Sequence, residues 1–391
     1  MSEDTISATA KTHGMDRTRV DADWPPLTLA EARALLDEFL GCGEAVQILS
    51  VSPRPFSSAS VVATRTGRVF IKRHHGSVRD REGLLEEHRF MNYLREHGAP
   101  VPFIFADASG ETAIERGEWS YEVHEAPPGV DLYEDALSWT PFRSTTHAHS
   151  AGAALARLHL AAQGNDAPRR KARPLVAGFT IFADDHPSAA MDRYLAERPS
   201  LADYSNVRAR CNEALELLAP FHSELRMQSP ALEPLWTHND LHGSNLLWSA
   251  GGDHAQVAAI IDFGLADRTN AVHDLAHAIE RSIVEWLELK KTEDVPVHLD
   301  QLNSLLSGYQ SVRPLTEGEA EALAPMTAVC HAEFALTEAD YFLGVLHSEM
   351  NARVCVEDYL VGHARWYRRN GGNKLLNAIR GWAGTRKRVG E

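Results

Sequence analysis

The chain has 391 residues, 44% hydrophobic and 24% charged, the composition of a globular chain too long for one ordinary core. Its formal net charge is −15, and because residues 364–391 hold eight basic residues and one acid, the remainder stands at −22. That balance argues against a nucleic-acid-binding surface. No apolar run approaches the ~18 residues of a membrane span.

The opening stretch, residues 1–24, has no apolar core of a secretory signal and reads as a mobile tail. The four cysteines (Cys42, Cys211, Cys330, Cys355) are far apart and form no C-x-x-C pair, which points to a reducing cytoplasm and away from a zinc ribbon or disulfide framework. Residues 27–41 predict a first helix, with Gly41 as its C-cap. Three strand-like runs follow, "AVQILSV", "ASVVATR" and "RVFIKRH", the last two joined at Thr66-Gly67 as a hairpin. "REGLLEEHRFMNYLREHG" predicts a helix ended by Gly98, and "ETAIER" with "WSYEVHE" a second hairpin, halted by Pro127-Pro128-Gly129. Beyond it the periodicity is mainly helical, in "SAGAALARLHLAA", "NEALELLAPFHSEL", "VHDLAHAIERSIVEWLEL", a run over 319–350, and "VEDYLVGHARWYRR". The expected architecture is α+β and two-lobed: a small β-rich N-lobe over 25–125 and a larger, mainly α-helical C-lobe over 126–391.

Ligands commonly bind between two such lobes. A nucleoside triphosphate there needs a cation on its phosphates, a divalent metal on hard oxygen ligands, and a group positioning the nucleophile. Lys72 ends the apolar run "VFIK", and Glu87 lies in the next helix, where it can pair with Lys72. In "THNDLHGSNLLW", Asp240 can accept a hydroxyl proton and Asn245 offers a carbonyl oxygen to metal; "AAIIDFG" supplies Asp262 after an apolar run. These residues stand in the order of the protein-kinase signature: "HNDLHGSN" matches H-R-D-L-x-x-x-N except at Asn239, "VFIK" matches V-A-I-K, and "DFG" is present at 262–264. Only eight residues separate "DFG" from "HDLAHAIE", no A-P-E follows, and the arginine that would pair with an activating phosphate is missing. The target implied is a small molecule, not a protein.

The blocks "HNDLHGSNLLW", "IIDFGLADRTNAVHDLAHAIE" and "EEHRFMNYLREHGAPVP" resemble the aminoglycoside phosphotransferase and choline kinase-like family, which has a protein kinase-like fold. The resemblance implies Asp240 as catalytic base, Asn245 and Asp262 as Mg²⁺ ligands, Lys72 on the phosphates of ATP (or GTP) with Glu87 as its partner, Asp274 bracing the catalytic loop, and His238 packed beneath it. In place of a Gly-rich phosphate loop stands "SPRPFSSASVV", whose Ser57, Ser58 and Ser60 either cradle phosphate or form a polar turn. Adenine would take its hydrogen bond from Glu125 or Ala126, since Pro127 and Pro128 have no N–H.

Other readings compete at each position. Lys72 can be a surface lysine, Asp240 and Asp262 turn formers, and Asp274 a helix N-cap. His238, Asp240, His242, Asp262, His273 and His277 can form a dinuclear metal site for hydrolysis, a reading that leaves Lys72, Glu87 and Asn245 unused. A nucleotide-binding pseudokinase is a third. For the acceptor, the run "HAEFALTEADYF" offers Glu333, Asp340 and Tyr341 to an amine. An aminoglycoside, choline or another amino alcohol, or an amino acid such as homoserine suits it. No nucleic acid, membrane or protein substrate is expected.

Overall fold

The structure, a computed structural model, describes residues 22–52, 56–137 and 139–387, the last three of these by backbone alone. The expected tail lies outside the described residues except for residues 22–24, as do residues 53–55 of the serine-rich stretch. Two compact units divide the chain: Met1–Gly129 with Ala259–Ile261, and Val130–Ala258 with Asp262–Glu391. Among the described residues no helix is long and apolar enough to cross a membrane.

Unit 1 is a five-stranded antiparallel sheet in the order β1-β2-β3-β5-β4, with β1 (Ala45–Val51), β2 (Ser58–Thr64), β3 (Arg68–His75), β4 (Ala113–Arg116) and β5 (Trp119–Glu125). Two helices accompany it, α1 (Leu29–Leu36) and α2 (Arg81–Glu96). The first helix is shorter than its periodicity suggests. It starts at a capping box in which Thr28 and Glu31 satisfy each other's backbone N–H groups, and it stops at Leu36, well before Gly41. Glu31 also accepts Arg73 Nη1 at 2.7 Å and the Tyr121 hydroxyl at 2.6 Å, fastening the helix start to β3 and β5.

Strand alternation gives the sheet two unlike faces. Val62, Val69, Ile71, Tyr121 and Val123 pack with Leu35, Leu36 and Phe39 in one apolar core. The other face carries Lys72, His74, Glu122 and His124, because Lys72 and Glu122 are direct cross-strand partners and directly opposed residues share a face. The same rule puts Ser60 opposite Ile71 and Ser58 opposite Arg73, on the apolar face, while Ala59 pairs with Lys72.

Unit 2 is mainly helical. Its helices are α3 (Thr145–Ala161), α4 (Pro187–Ala196), α5 (Pro199–Ala202), α6 (Val207–Gln228), α7 (Ala271–Ile283) and α8 (Leu299–Val312). They continue as α9 (Glu317–Val329), α10 (His331–Gly344), α11 (Glu349–Arg353), α12 (His363–Tyr367) and α13 (Asn370–Lys387). Helices α3 and α8 touch backbone to backbone: a Cβ on Gly152 would stand 2.0 Å from the Leu305 carbonyl oxygen, and one on Gly308 1.9 Å from that of His149. Two short sheets remain, β6 (Pro234–Thr237) with β9 (Asp267–Asn270) in unit 2, and β7 (Leu246–Trp248) with β8 (Val257–Ile260), whose last two residues count to unit 1. Sequence periodicity misses β6 and β9, which are four residues each, the first opened by a proline and the second wholly polar. It also merges α9, α10 and α11 into one helix, and runs α7 through Val284, a β-branched residue that instead turns extended and bridges Val297.

Candidate active site

The segment after β6 is built around a buried carboxylate that it does not contain. Asp274, in the first turn of α7, accepts the backbone N–H of Asn239 at 2.8 Å through Oδ1; its Oδ2 takes that of His238 at 2.8 Å and His159 Nε2 at 3.0 Å. His159 is in turn held by the Tyr309 hydroxyl at 2.7 Å. Burial pushes the Asp274 carboxyl up, but His159 and His238 together outweigh it and the pKa falls to about 2. An ionised acceptor therefore fixes two successive N–H groups of the loop.

Asn239, at the position of the kinase arginine, has φ +61°, a left-handed conformation that Asn tolerates better than most residues. Its Oδ1 accepts the Thr237 hydroxyl at 2.8 Å and the Thr269 hydroxyl at 3.2 Å, while Nδ2 donates to the carbonyls of Ala177 at 3.1 Å and Leu265 at 3.3 Å. One amide thus ties together four segments. Beside it His238 is fully buried, edge-on to Phe263, and its Nδ1 accepts the Asp240 N–H at 3.2 Å.

This frame presents Asp240. Its Oδ1 accepts Arg281 Nη2 at 2.6 Å and its Oδ2 accepts Asn245 Nδ2 at 3.0 Å, with His242 Nε2 at 3.7 Å. Burial raises the pKa of the carboxyl, yet Arg281 and then His242 more than reverse this and hold it well below the usual carboxylate range. Arg281 lies over the rings of Phe334, at 4.5 Å, and Trp139, at 5.1 Å. It was not singled out from the sequence, although it sits seven residues after Asp274 and so on the same face of α7.

Asn245 closes the 3₁₀ turn Gly243–Asn245, and its Nδ2 donates to both Asp240 O and Oδ2, which fixes the amide and turns Oδ1 to the opposite side as the atom that could serve a metal. Asp262 is exposed, with φ +63°, a conformation costly outside glycine and concentrated at functional turns. A carbonyl oxygen and an exposed carboxylate are the hard donors a divalent cation of the magnesium type takes, so the donor chemistry fits. The rival dinuclear site does not assemble: among the described residues, no three of His238, Asp240, His242, Asp262, His273 and His277 bring ligand atoms within 4.8 Å of one another. His273 and His277 stack edge to face inside α7, and burial lowers the pKa of both.

In unit 1, Lys72 is half-buried on β3 and Glu87 is buried in α2. Ser57, Ser58 and Ser60 are all buried, the latter two within β2, and the hydroxyls of Ser58 and Ser60 find no hydrogen-bond partner among the described residues. The Glu125 N–H donates to Phe103 O at 2.8 Å, and that of Ala126 reaches Arg68 O only at 3.4 Å; the weaker bond makes Ala126 the more readily diverted donor.

A cavity of about 560 Å³ opens in unit 2, lined by Arg169, Arg193, Arg198, Asp267 and Glu333 among others. Arg198 stacks on Tyr194 at 3.6 Å. Glu333 takes the N–H of Thr180 and, at 2.6 Å, that of Ile181 on Oε1, while its buried Oε2 has no hydrogen-bond partner. Asp340 faces Arg198 Nε at 3.9 Å, and burial lifts its pKa to about 6; neither it nor the fully buried Tyr341 lines the cavity.

The two units, the H-x-D loop and the D-F-G turn define the class of a kinase-like phosphotransferase. The chain belongs to the phosphotransferase enzyme family, whose model matches residues 53–315. It is a small-molecule kinase, dependent on ATP and a divalent metal. Among curated relatives, it is 25% identical to a homoserine kinase of Gluconobacter oxydans over 63% of this chain and 67% of that one, and 24% identical to a homoserine kinase of a Caulobacter species over 81% and 87%. Among solved structures, it resembles a microcompartment-associated aminopropanol kinase (TM-score 0.58, 18% identity, 87% and 98% of the two chains). It also resembles an aminoglycoside phosphotransferase from Alicyclobacillus acidocaldarius (TM-score 0.52, 15% identity, 94% and 99%).

Proposed function

We propose that the chain moves the γ-phosphoryl group of ATP to the hydroxyl of a small amino-acid-like acceptor, with homoserine the first compound to try. The observation that carries this reading is the mixed lining of the 560 Å³ cavity. Arg193, Arg198 and Arg169 suit a carboxylate, and Glu333 and Asp267 suit an ammonium group. The cavity wall is anchored to the catalytic loop, because Asn239 binds the carbonyl of Ala177, between the lining residues Val176 and Gly178. The homoserine kinases among the relatives support the same class.

In this reaction the acceptor oxygen attacks the γ-phosphorus, the bond to the β,γ-bridging oxygen breaks, ADP departs, and the hydroxyl proton passes to Asp240. A carboxylate held ionised by Arg281 is a weak base, so Asp240 orients the hydroxyl and takes its proton late. Lys72 serves the phosphates with Glu87 as its partner, Ser57 and the backbone around it cover them, and Ala126 receives the adenine. Asn245 and Asp262 would hold Mg²⁺, which supplies charge neutralisation at the phosphates. The four cysteines are free and buried, in keeping with a cytoplasmic enzyme.

The test is ADP release by purified protein with ATP or GTP and Mg²⁺, offering L-homoserine, choline, aminopropanol and an aminoglycoside in turn. Turnover should be largest with the amino acid. Asp240→Asn should lower kcat by about 10²–10⁴-fold while nucleotide binding persists, and Asp262→Ala should weaken metal-dependent nucleotide binding itself. Preference for choline or aminopropanol, with Arg198→Ala harmless, would remove the amino-acid reading; full turnover in Asp240→Asn would remove the assigned base.

A further inference from the structure

The face of the sheet opposite the apolar core holds a second constellation, which phosphoryl transfer does not use. Glu122 of β5 is nearly fully buried, and three imidazoles converge on its carboxylate. His88 Nε2 lies 2.7 Å and His124 Nε2 2.8 Å from Oε2, and His74 Nε2 lies 2.9 Å from Oε1. All four side chains are at least nine-tenths buried, at 1–8% exposure. They come from three elements: β3 gives His74, α2 His88, and β5 both Glu122 and His124.

We propose that His88, His124 and Glu122 form a binding site for one transition-metal dication of the zinc type, with His74 holding the other carboxylate oxygen from outside. Two neutral imidazoles and one carboxylate are a three-residue donor set for zinc that leaves the fourth position to solvent, with metal–ligand bonds of about 2.0–2.2 Å. Ligands at that distance around a tetrahedral ion stand roughly 3.3 Å apart. The ligand atoms of His88, Glu122 and His124 already lie within 4.8 Å of one another, and the separations of His88 and His124 Nε2 from Oε2 need open by only a few tenths of an ångström. The same nitrogen of every ring faces the carboxylate. His88 is fixed in that orientation from behind, its Nδ1 paired with the Thr112 hydroxyl at 2.8 Å, the outer hydrogen bond usual for metal-binding histidines.

The alternative is that the four groups only hydrogen-bond one another. The two differ in what they do with charge. A buried carboxylate among neutral rings keeps its full negative charge in a place costly for ions, whereas a dication over-compensates it and links α2 to β5. The site would clamp the residues flanking it in sequence: Glu87 precedes His88 by one residue, and Glu125 follows His124. The donors are nitrogen-rich, unlike the oxygen donors Asn245 and Asp262, so the two metal demands are chemically distinct. The proposal therefore stands apart from the phosphotransfer reading.

The experiment uses tag-free full-length protein, stripped with a chelator and titrated with Co²⁺ and then Zn²⁺ without nucleotide. One equivalent of Co²⁺ should bring visible absorption of four-coordinate intensity, displaced by Zn²⁺, and either ion should raise Tm by about 2–5 °C. His88→Gln and His124→Gln should each abolish both signals. His124→Gln, at the more accessible edge of the cluster, keeps the test open if the other variant does not fold. Absence of both signals in the unaltered chain would overturn the site. So would signals that persist unchanged in a folded His124→Gln or His88→Gln variant.

Discussion

Asp240 in unit 2 and Glu122 in unit 1 are both buried carboxylates kept ionised against the cost of burial, by unlike neighbours. Asp240 faces Arg281, a cation at every accessible pH, with Asn245 on its other oxygen. Glu122 faces three imidazoles, whose charge depends on pH. Burial raises both pKa values. Arg281 and His242 bring Asp240 down, while His124, His74 and His88 bring Glu122 down. The carboxylate that the proposed reaction needs ionised when the hydroxyl arrives is thus given a permanent counter-charge. The other is surrounded by ligands that can also release their protons.

The largest effect should come from breaking the permanent pair. Arg281→Met leaves Asp240 buried beside the rings of Phe334 and Trp139 without its cation, and removing one partner of a buried pair costs about 3–5 kcal/mol. The sign with pH follows from the depressed pKa of Asp240. Its stabilisation is fully present above the unfolded carboxyl value, near ~3.9, and is lost as pH falls through the lower folded value. Urea midpoints should therefore differ most between the two proteins at neutral pH and converge below pH ~4. An unchanged midpoint at pH 7 would mean that the pair contributes nothing.

A smaller loss is expected one shell away. Asp274→Asn keeps the shape but replaces one acceptor oxygen by an NH₂ group, which must face an N–H of His238 or Asn239, or His159. Leaving one such buried donor unsatisfied costs about 1–3 kcal/mol. Urea unfolding reads the loss, and kcat should fall with it because the loop carrying Asp240 is loosened.

These pairs also show how far the sequence could be read. Asp240 and Asn245 stand out as candidates because they lie five residues apart on one turn, and Asp262 and Asp274 because the D-F-G and H-D-L-A blocks follow in the order the resemblance implies. Strands β2, β3 and β5 were recognisable because alternation with β-branched residues leaves little choice. Arg281 and His159 were not, since their partners lie 41 and 115 residues away in sequence and only tertiary packing brings them together. The Glu122 cluster was hidden for the same reason. Its histidines alternate unremarkably in two strands and a helix, and no spacing rule connects them. The acceptor residues fared worst. Acids on a helix look alike until the fold shows that Glu333 lines a cavity and Tyr341 does not.

The conditional cluster should announce itself through pH. His74 has a lowered pKa from burial, reinforced by Lys72 and Arg79 and opposed by Glu122. The unfolded chain then binds its proton more readily than the native one, so stability declines as pH drops below ~6.5. His74→Gln removes that titration. Between pH ~6.5 and 5 the slope of unfolding free energy against pH should flatten by at most about 1.4 kcal/mol per pH unit, whereas Arg281→Met leaves this slope unaltered. A slope unchanged in His74→Gln would mean that the ring is protonated alike in both states.

The smallest effect distinguishes the two faces of the sheet. Ser60 pairs with Ile71, so its side chain shares the apolar face with Val62 and Val69, away from Lys72. Its hydroxyl is fully buried and finds no hydrogen-bond partner among the described residues. A hydroxyl desolvated without compensation opposes folding, and Ser60→Ala relieves that penalty at the price of a small void. The variant should be as stable as the parent or more stable by up to about 1 kcal/mol, with the KM for ATP unmoved. If the hydroxyl instead reached a phosphate, Ser60→Ala would raise KM for ATP without stabilising the free enzyme. The strand register would then have to differ between free and nucleotide-bound protein, because a one-residue slip is what carries a side chain to the opposite face.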